Sequence, residues 1–441
     1  MMKISNKTVN VIWGILLFSI LAFPRIFQFV KIFLCLLLIA ANLVTRRGIT
    51  LWKPVVCFTV LWMVYSALAI AFGILYGNPA AGIYAFFRVN VVNVLLFFAL
   101  MVSICREEAY EATFKAILCA TLFIAVYNLT FIACGFLGTS IPFLEKLDAT
   151  ARLQFHEGYS HVVTTNLSMT ILLFPLLVML INESGTHAIV GKRALIGTTV
   201  LCAAAMVLSG RRILWLCLVL GVFALFFINT RRIEDQMKLL VIGVLVLVAG
   251  ILFAEKTGML SISGLIARFK DAFASIDQNG TENERLVQAK YLIEWFKKEP
   301  FFGNGAGAVI PGFARSTKEP WNFELSYHEM LFQSGLIGAF FYFLSLAVIF
   351  VESIQAAQVD RLVGSAILVA YVCVLGANGT NPYYSSSFDF MIFLFLPFML
   401  AELVQGRENS IRNETVSEGA RPLQGAIPVR QAYIEKQQKG I

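Results

Sequence analysis

The chain has 441 residues, of which 58% are hydrophobic and 14% charged, with 39 phenylalanines and a formal net charge of +8. Soluble domains carry about 25% charged residues, so this composition excludes a string of ordinary soluble domains and points to a protein that lives in a bilayer. Nor does the positive balance argue for a nucleic-acid partner: most lysines and arginines sit in short segments between apolar runs, where they orient a membrane protein.

In chain order, apolar runs recur at 9–23, 27–44, 54–76, 82–104, 113–137, 162–182, 194–209, 213–229, 238–254, 328–352, 362–377 and 388–404. About 18 or more apolar residues cross a bilayer core. The sequence therefore predicts an all-α, polytopic integral membrane protein with about twelve transmembrane helices and one large periplasmic loop. The first run, Val9 to Phe23, has no small-residue cleavage site and is followed at once by another, so it reads as a retained span and not a signal peptide.

With the N-terminus placed in the cytoplasm, the segments on that side hold Lys3, Lys7, Arg46, Arg47, Lys53, Arg106, Lys115, Lys192, Arg193, Arg231, Arg232, Lys238 and Arg361. The short opposite segments hold only Arg25, Lys146, Arg152, Arg211 and Arg212. This asymmetry is the positive-inside signature and predicts an inner-membrane protein with both termini cytoplasmic. Residues 1–254 then carry nine spans, 255–327 a large outer loop, 328–404 three more spans, and 405–441 a polar tail expected to be disordered. All eight cysteines fall in or beside apolar runs without metal-ligand or redox spacing, which predicts buried thiols and no disulfide framework.

Some charges break the pattern. Arg88 lies about six residues inside a span, where a cation costs a few kcal/mol unless it snorkels or meets an anion. Arg211 and Arg212 stand on the outer side between two closely spaced spans, where orientation alone does not call for them. In the outer loop, Leu286, Ala289, Leu292, Ile293 and Phe296 recur at helical spacing over Glu282–Lys298, and Pro300 ends that helix. A glycine-rich turn follows, Gly303-Asn304-Gly305-Ala306-Gly307. No strand precedes it and no Lys-Ser/Thr follows, so it is not a nucleotide-binding loop. Next come Trp321-Asn322-Phe323-Glu324-Leu325-Ser326-Tyr327-His328-Glu329 and a span opening on Gly335-Leu336-Ile337-Gly338. His156 and His161 read as ordinary loop residues.

Arg285, the run Glu299-Pro300-Phe301-Phe302-Gly303-Asn304-Gly305-Ala306-Gly307, the polar patch and Gly335-Leu336-Ile337-Gly338 together resemble the C-terminal domain of the O-antigen polymerase/ligase superfamily. Ser209-Gly210-Arg211-Arg212 is similar to that family's Gly-Ser-Arg element, with Arg212 on the family's arginine. The resemblance is strong over about 205–345. It implies transfer of a glycan from undecaprenyl diphosphate to the hydroxyl of an acceptor sugar at the periplasmic face, with no cofactor and no metal. The partners it implies are the lipid-linked glycan donor, the glycan acceptor and the bilayer, with a flippase and a chain-length regulator beside them.

On that resemblance, Arg212 and Arg285 are the expected diphosphate ligands, with Arg211 beside them and Arg88 as a second layer. Guanidinium stays charged and offers a planar fork to phosphate oxygens, and fixed cations stabilise charge building on a leaving diphosphate. The acceptor hydroxyl needs a base or a positioning acceptor. Ligases of this family carry a histidine about eleven residues before the first glycine of the Gly-Leu-Ile-Gly element. Here that position is Glu324, which favours a polymerase, while His328 one helical turn later shares its face. Trp321, Tyr327 and Tyr383 are candidates for stacking on sugar, and also for ordinary anchoring at the membrane interface. Three alternatives remain open on sequence. One is a ligase that passes the glycan to lipid A–core, another a transporter or flippase, and the third a non-enzymatic assembly partner.

Overall fold

The computed structural model describes residues 6–44, 52–104, 109–139, 148, 151–156, 159–181, 189–228, 237, 241 and 281–419. Among them the chain is mostly helical. Six helices are long and apolar enough to cross a membrane, at Lys53–Leu75, Ala80–Ile104, Ala109–Phe136, Ser326–Val359, Arg361–Asn378 and Phe388–Arg407. Four shorter apolar helices join them, at Asn6–Ala22, Gln28–Leu43, Asn166–Leu180 and Arg212–Phe226. The expected run at 194–209 is a helix of 17 residues, Lys192–Leu208. The run at 238–254 lies, apart from residue 241, outside the described residues. A multi-pass membrane protein thus stands, while twelve crossings are not reached among the described residues.

Helices α1 (Asn6–Ala22) and α2 (Gln28–Val44) are joined by a tight turn in which Arg25 and Phe27 take positive φ, 68° and 55°. Helix α3 (Lys53–Leu75) begins with proline in its first turn, where the missing N–H costs nothing. Helix α4 (Ala80–Phe87) runs into a π-helical stretch, Arg88–Asn93, and continues as α5 (Val94–Ile104). After α6 (Ala109–Phe136) comes a departure from the all-α expectation. Strands β1 (Arg152–His156) and β2 (Tyr159–Val163) form an antiparallel hairpin in which Arg152 pairs with Val163. A 3-10 turn, Asn166–Met169, then leads into α7 (Thr170–Leu180). Every residue of α7 is buried, as expected for a helix that is apolar all round.

Helices α8 (Lys192–Leu208), α9 (Arg212–Ile228) and α10 (Thr281–Phe296) follow. Then come α11 (Ser326–Val359), α12 (Arg361–Asn378) and α13 (Ile392–Gly419). The Asp360 carboxylate caps α12, accepting from the N–H groups of Leu362 and Val363 at 3.0 and 3.1 Å. Helix α11 is the hub of the bundle, packing on α3, α12 and α13, while α7 lies against α9 and α12 and α1 lies against α6. Large apolar side chains cover the outside, Phe29 at 91% exposure among them, which suits contact with lipid tails. The last helix runs on through Gly419, so the first part of the expected tail is helical.

The glycine-rich turn has a structural role at the centre of this hub. Helix α11 breaks at Gly335 (φ 61°, ψ −166°), and the segment 300–307 fills the break. Leu336 and Ile337 donate backbone bonds to the carbonyls of Pro300 and Phe301 at 2.8 and 3.0 Å. In return Asn304 and Gly305 donate to the carbonyls of Phe332 and Gln333, each at 2.8 Å, and Ala306 donates to Ala69 of α3 at 2.7 Å. The Asn78 amide closes the arrangement by donating to the carbonyls of Asn304 and Ala306. The segment is therefore a strap that ties α3 to the two halves of α11, and it satisfies the backbone groups that the break would otherwise leave bare.

Candidate functional site

Above this strap lies a cavity of about 780 Å³. Its walls are the α4–π segment, the hairpin and the 3-10 turn after it, the start of α9, the loop between Gly307 and Glu324, the first turns of α11, and residues 381–390. Among the described residues five arginines line it: Arg25, Arg88, Arg152, Arg211 and Arg315. Three carboxylates face them, Glu319, Glu324 and Glu329. Five guanidiniums against three carboxylates give this cavity an excess of positive charge.

Arg211 is the best-held of the five. Its guanidinium donates to Ser168 Oγ at 3.0 Å and to the Tyr383 hydroxyl at 3.2 Å. Ser209, fully buried, accepts from the Arg211 backbone N–H at 3.3 Å, and its carbonyl accepts from Val162 of β2 at 2.9 Å. The hairpin is thus docked onto the Ser209-Gly210 turn, which delivers Arg211 to the cavity. Arg212 becomes the first residue of α9 and does not line the wall. Of the expected diphosphate ligands, then, it is Arg211 and Arg88 that face the cavity, and the exposed side chain of Arg88 opens the π segment.

Arg25 and Arg152 were not singled out by motif. The Arg25 backbone N–H donates to Asp389 Oδ2 at 2.8 Å, and its guanidinium lies 5.9 Å from the Phe390 ring. Asp389 in turn pairs with Lys31 at 2.7 Å, with both side chains at 0% exposure, and accepts from Gln28. This buried pair pins the strained turn that presents Arg25. Removing one member leaves the other charge uncompensated, at a cost of about 3 kcal/mol. Asp389→Asn is accordingly expected to lower the thermal unfolding temperature of the purified protein. An unchanged melting curve would show that the pair does not hold the turn. Arg152 sits on β1, and the base of the hairpin is tied down by Asp148, which accepts from the backbone and hydroxyl of Thr165 at 2.8 Å each. The hydroxyl of Thr164 donates to Asn128 of α6 at 2.6 Å.

Glu324 lies at the cavity edge as the centre of a clasp. Arg285 Nε of α10 reaches its Oε2 at 2.8 Å, and Arg315 reaches its Oε1. Gln288, also on α10, accepts the backbone N–H groups of Glu324 and Leu325 at 3.1 Å each. Arg285 is therefore spent on Glu324 and does not itself line the wall. Trp321 does, and its ring is seated on α4 where Gly82 leaves room for it. Tyr383 lines the cavity too, but it is nearly buried against Phe390 and Phe393 and serves Arg211. Besides Arg212 and Arg285, two more expected site residues are off the wall. The Tyr327 hydroxyl donates to the Leu375 carbonyl at 2.7 Å, which places it in the α11–α12 packing. His328 is also turned away from the cavity, with Nδ1 buried and without a hydrogen-bond partner in the structure.

The fold and site define a multi-pass helical membrane protein with an arginine-lined polar cavity at the edge of its bundle. Residues 197–343, about a third of the chain, match the family model described as O-Antigen ligase. This span contains Ser209–Arg212, α10, the strap and the break at Gly335, and it is consistent with the polymerase/ligase superfamily. No curated protein matches the chain.

Proposed function

We propose that the chain is a glycan polymerase of the inner membrane. It transfers a glycan carried on undecaprenyl diphosphate to the acceptor sugar of another lipid-linked repeat unit, at the periplasmic face. The observation that carries this reading is the convergence of Arg25, Arg88, Arg152 and Arg211 from four separate parts of the chain on one cavity, with Trp321 on the same wall. Four guanidiniums on one wall match a diphosphate and the charge that develops on it as it leaves. An aromatic ring on the same wall offers a face to a sugar. Of the four, the Arg211 guanidinium is already held in place, by Ser168 and Tyr383.

A ligase is the second reading, favoured by the description of the matching family. The donor side is common to both, and the two differ only in acceptor. Glu324 at the position of the ligase histidine supports the polymerase, and the match is otherwise even-handed. A transporter would call for ionisable groups near the bilayer midplane of broken, paired helices, whereas of the cavity arginines Arg25, Arg211 and Arg315 lie in turns and loops, Arg152 lies on the hairpin, and Arg88 alone lies within a span.

The test is deletion in the native strain followed by electrophoresis of surface glycans. A polymerase leaves core bearing a single repeat unit, and the wild-type gene restores the ladder. Bare core with long polymer retained on the lipid carrier makes the protein a ligase. A surface glycan profile unchanged by deletion overturns the assignment altogether.

A further inference from the structure

The cavity holds three carboxylates, and their surroundings separate their roles. Glu324 has each oxygen taken by a guanidinium, Oε1 by Arg315 and Oε2 by Arg285. With both oxygens occupied in this way, Glu324 serves as a structural clasp and has no oxygen free for an incoming hydroxyl. Glu319 sits on an exposed turn, and its Oε2 accepts from the Asn322 amide at 3.1 Å. Glu329 differs from both. It lies in the first turn of α11, on the cavity wall, and its Oε1 accepts from the Gln333 amide at 3.0 Å. Among the described residues no cation pairs with it.

Gln333 is itself held. Only 4% of its surface is exposed, it lies on the same wall, and its carbonyl accepts from Gly305 of the strap at 2.8 Å. An amide donor fixes the orientation of a carboxylate without supplying a proton to it or cancelling its charge. Glu329 Oε2 is thereby left for an incoming hydroxyl. An acid in the first turn also favours its helix through the macrodipole, by well under 1 kcal/mol at an ordinary site. That role explains neither the buried amide partner nor the position on the cavity that the arginines line.

Resting on the reading of the cavity as a glycan-transfer site, we propose that Glu329 is the general base of the reaction and Gln333 its positioning residue. The acceptor hydroxyl oxygen forms its bond to the anomeric carbon of the donor. The bond from that carbon to the diphosphate oxygen breaks, and the polyprenyl diphosphate leaves with the electron pair, held by the arginines. The hydroxyl proton passes to Glu329 Oε2 and is later released to water.

Purified wild type, Glu329→Gln, Glu329→Asp and Arg211→Ala in lipid nanodiscs, supplied with the native lipid-linked repeat unit, test this. Rates are taken per mole of monodisperse protein, with donor binding measured alongside. A positioned base contributes about 10²–10⁴-fold, so Glu329→Gln is expected to cut kcat at least about 100-fold while donor KM stays within about threefold. Glu329→Asp, which keeps the base but shortens its reach, falls between the two. Glu329→Gln at near wild-type kcat, with Arg211→Ala inactive, overturns the base and leaves the site standing. Full activity in both overturns the reading of the cavity as well. If Glu329→Gln does not fold, Glu329→Ala carries the test, and an undiminished kcat there overturns the proposal.

Discussion

Arg211→Ala is expected to abolish the glycan ladder in complemented cells and to lower transfer by about 10²–10³-fold in purified protein, the usual cost of removing one fixed donor aimed at developing charge. The reason lies in how the side chain is held. Ser168 and Tyr383 each accept one guanidinium nitrogen, at 3.0 and 3.2 Å, and these partners come from the turn before α7 and the segment after α12. Lysine at 211 keeps the charge but loses the fork, and it cannot satisfy both partners while presenting a planar face to a phosphate. Arg211→Lys is therefore expected to recover only a small part of the lost activity. Arg212→Ala is the informative comparison, because it removes the neighbouring arginine, which is off the cavity wall. Transfer assays that show Arg212→Ala more damaging than Arg211→Ala at matched protein levels would refute the assignment of the cavity.

The contrast between these two arginines marks how far the sequence could be read. The resemblance located the Ser209-Gly210-Arg211-Arg212 element and its side of the membrane, but successive residues entering a helix point about 100° apart. Which of the two faces the cavity depends on the turn at Gly210 and on Ser168 and Tyr383, which are remote in sequence. Four of the five residues that the positive-inside rule left on the outer side are arginines, namely Arg25, Arg152, Arg211 and Arg212, and three of these line the cavity. Of these only Arg211 and Arg212 stand out from the orientation pattern, and nothing local connects Arg25 to Arg152.

The helix expected over Glu282–Lys298 runs from Thr281 to Phe296 and ends shortly before Pro300; of its apolar residues Leu292 is buried, while Leu286 and Ile293 are exposed. The hairpin was hidden by the apolar run that absorbs Val162 and Val163, and by the brevity of two five-residue strands. Glu324 was found as a position, but its role was not legible. Arg285 and Arg315 neutralise it from 39 and 9 residues away, and this long-range pairing shifts attention to Glu329.

Gly305→Ala is expected to deprive the cell of most of the folded protein. Gly305 has φ of 80°, a left-handed conformation that costs a residue with a Cβ about 1–2 kcal/mol. The added carbon would also lie 2.3 Å from the Gly73 nitrogen, 2.5 Å from the Gly73 Cα and 2.6 Å from the Phe72 carbonyl carbon. These atoms are helical backbone inside α3 and cannot swing aside as a side chain can. Overpacking of this kind costs about 1–3 kcal/mol or more, so the total is about 4 kcal/mol.

Gly312→Ala is the control that separates conformation from contact. Its φ is 79°, but a Cβ there meets nothing within 4 Å, so only the conformational part applies. Thermal unfolding in detergent is expected to fall by roughly 10 °C for any Gly305→Ala protein recovered, and by a few degrees for Gly312→Ala. Equal melting temperatures would show that the strap yields and does not tie α3 to α11. Because Gly305 also donates to the Gln333 carbonyl, a surviving Gly305→Ala protein is expected to lose turnover as well. The glycines of this segment then serve the chemistry indirectly, by fixing the helix break that carries Gln333 and, one turn before it, Glu329.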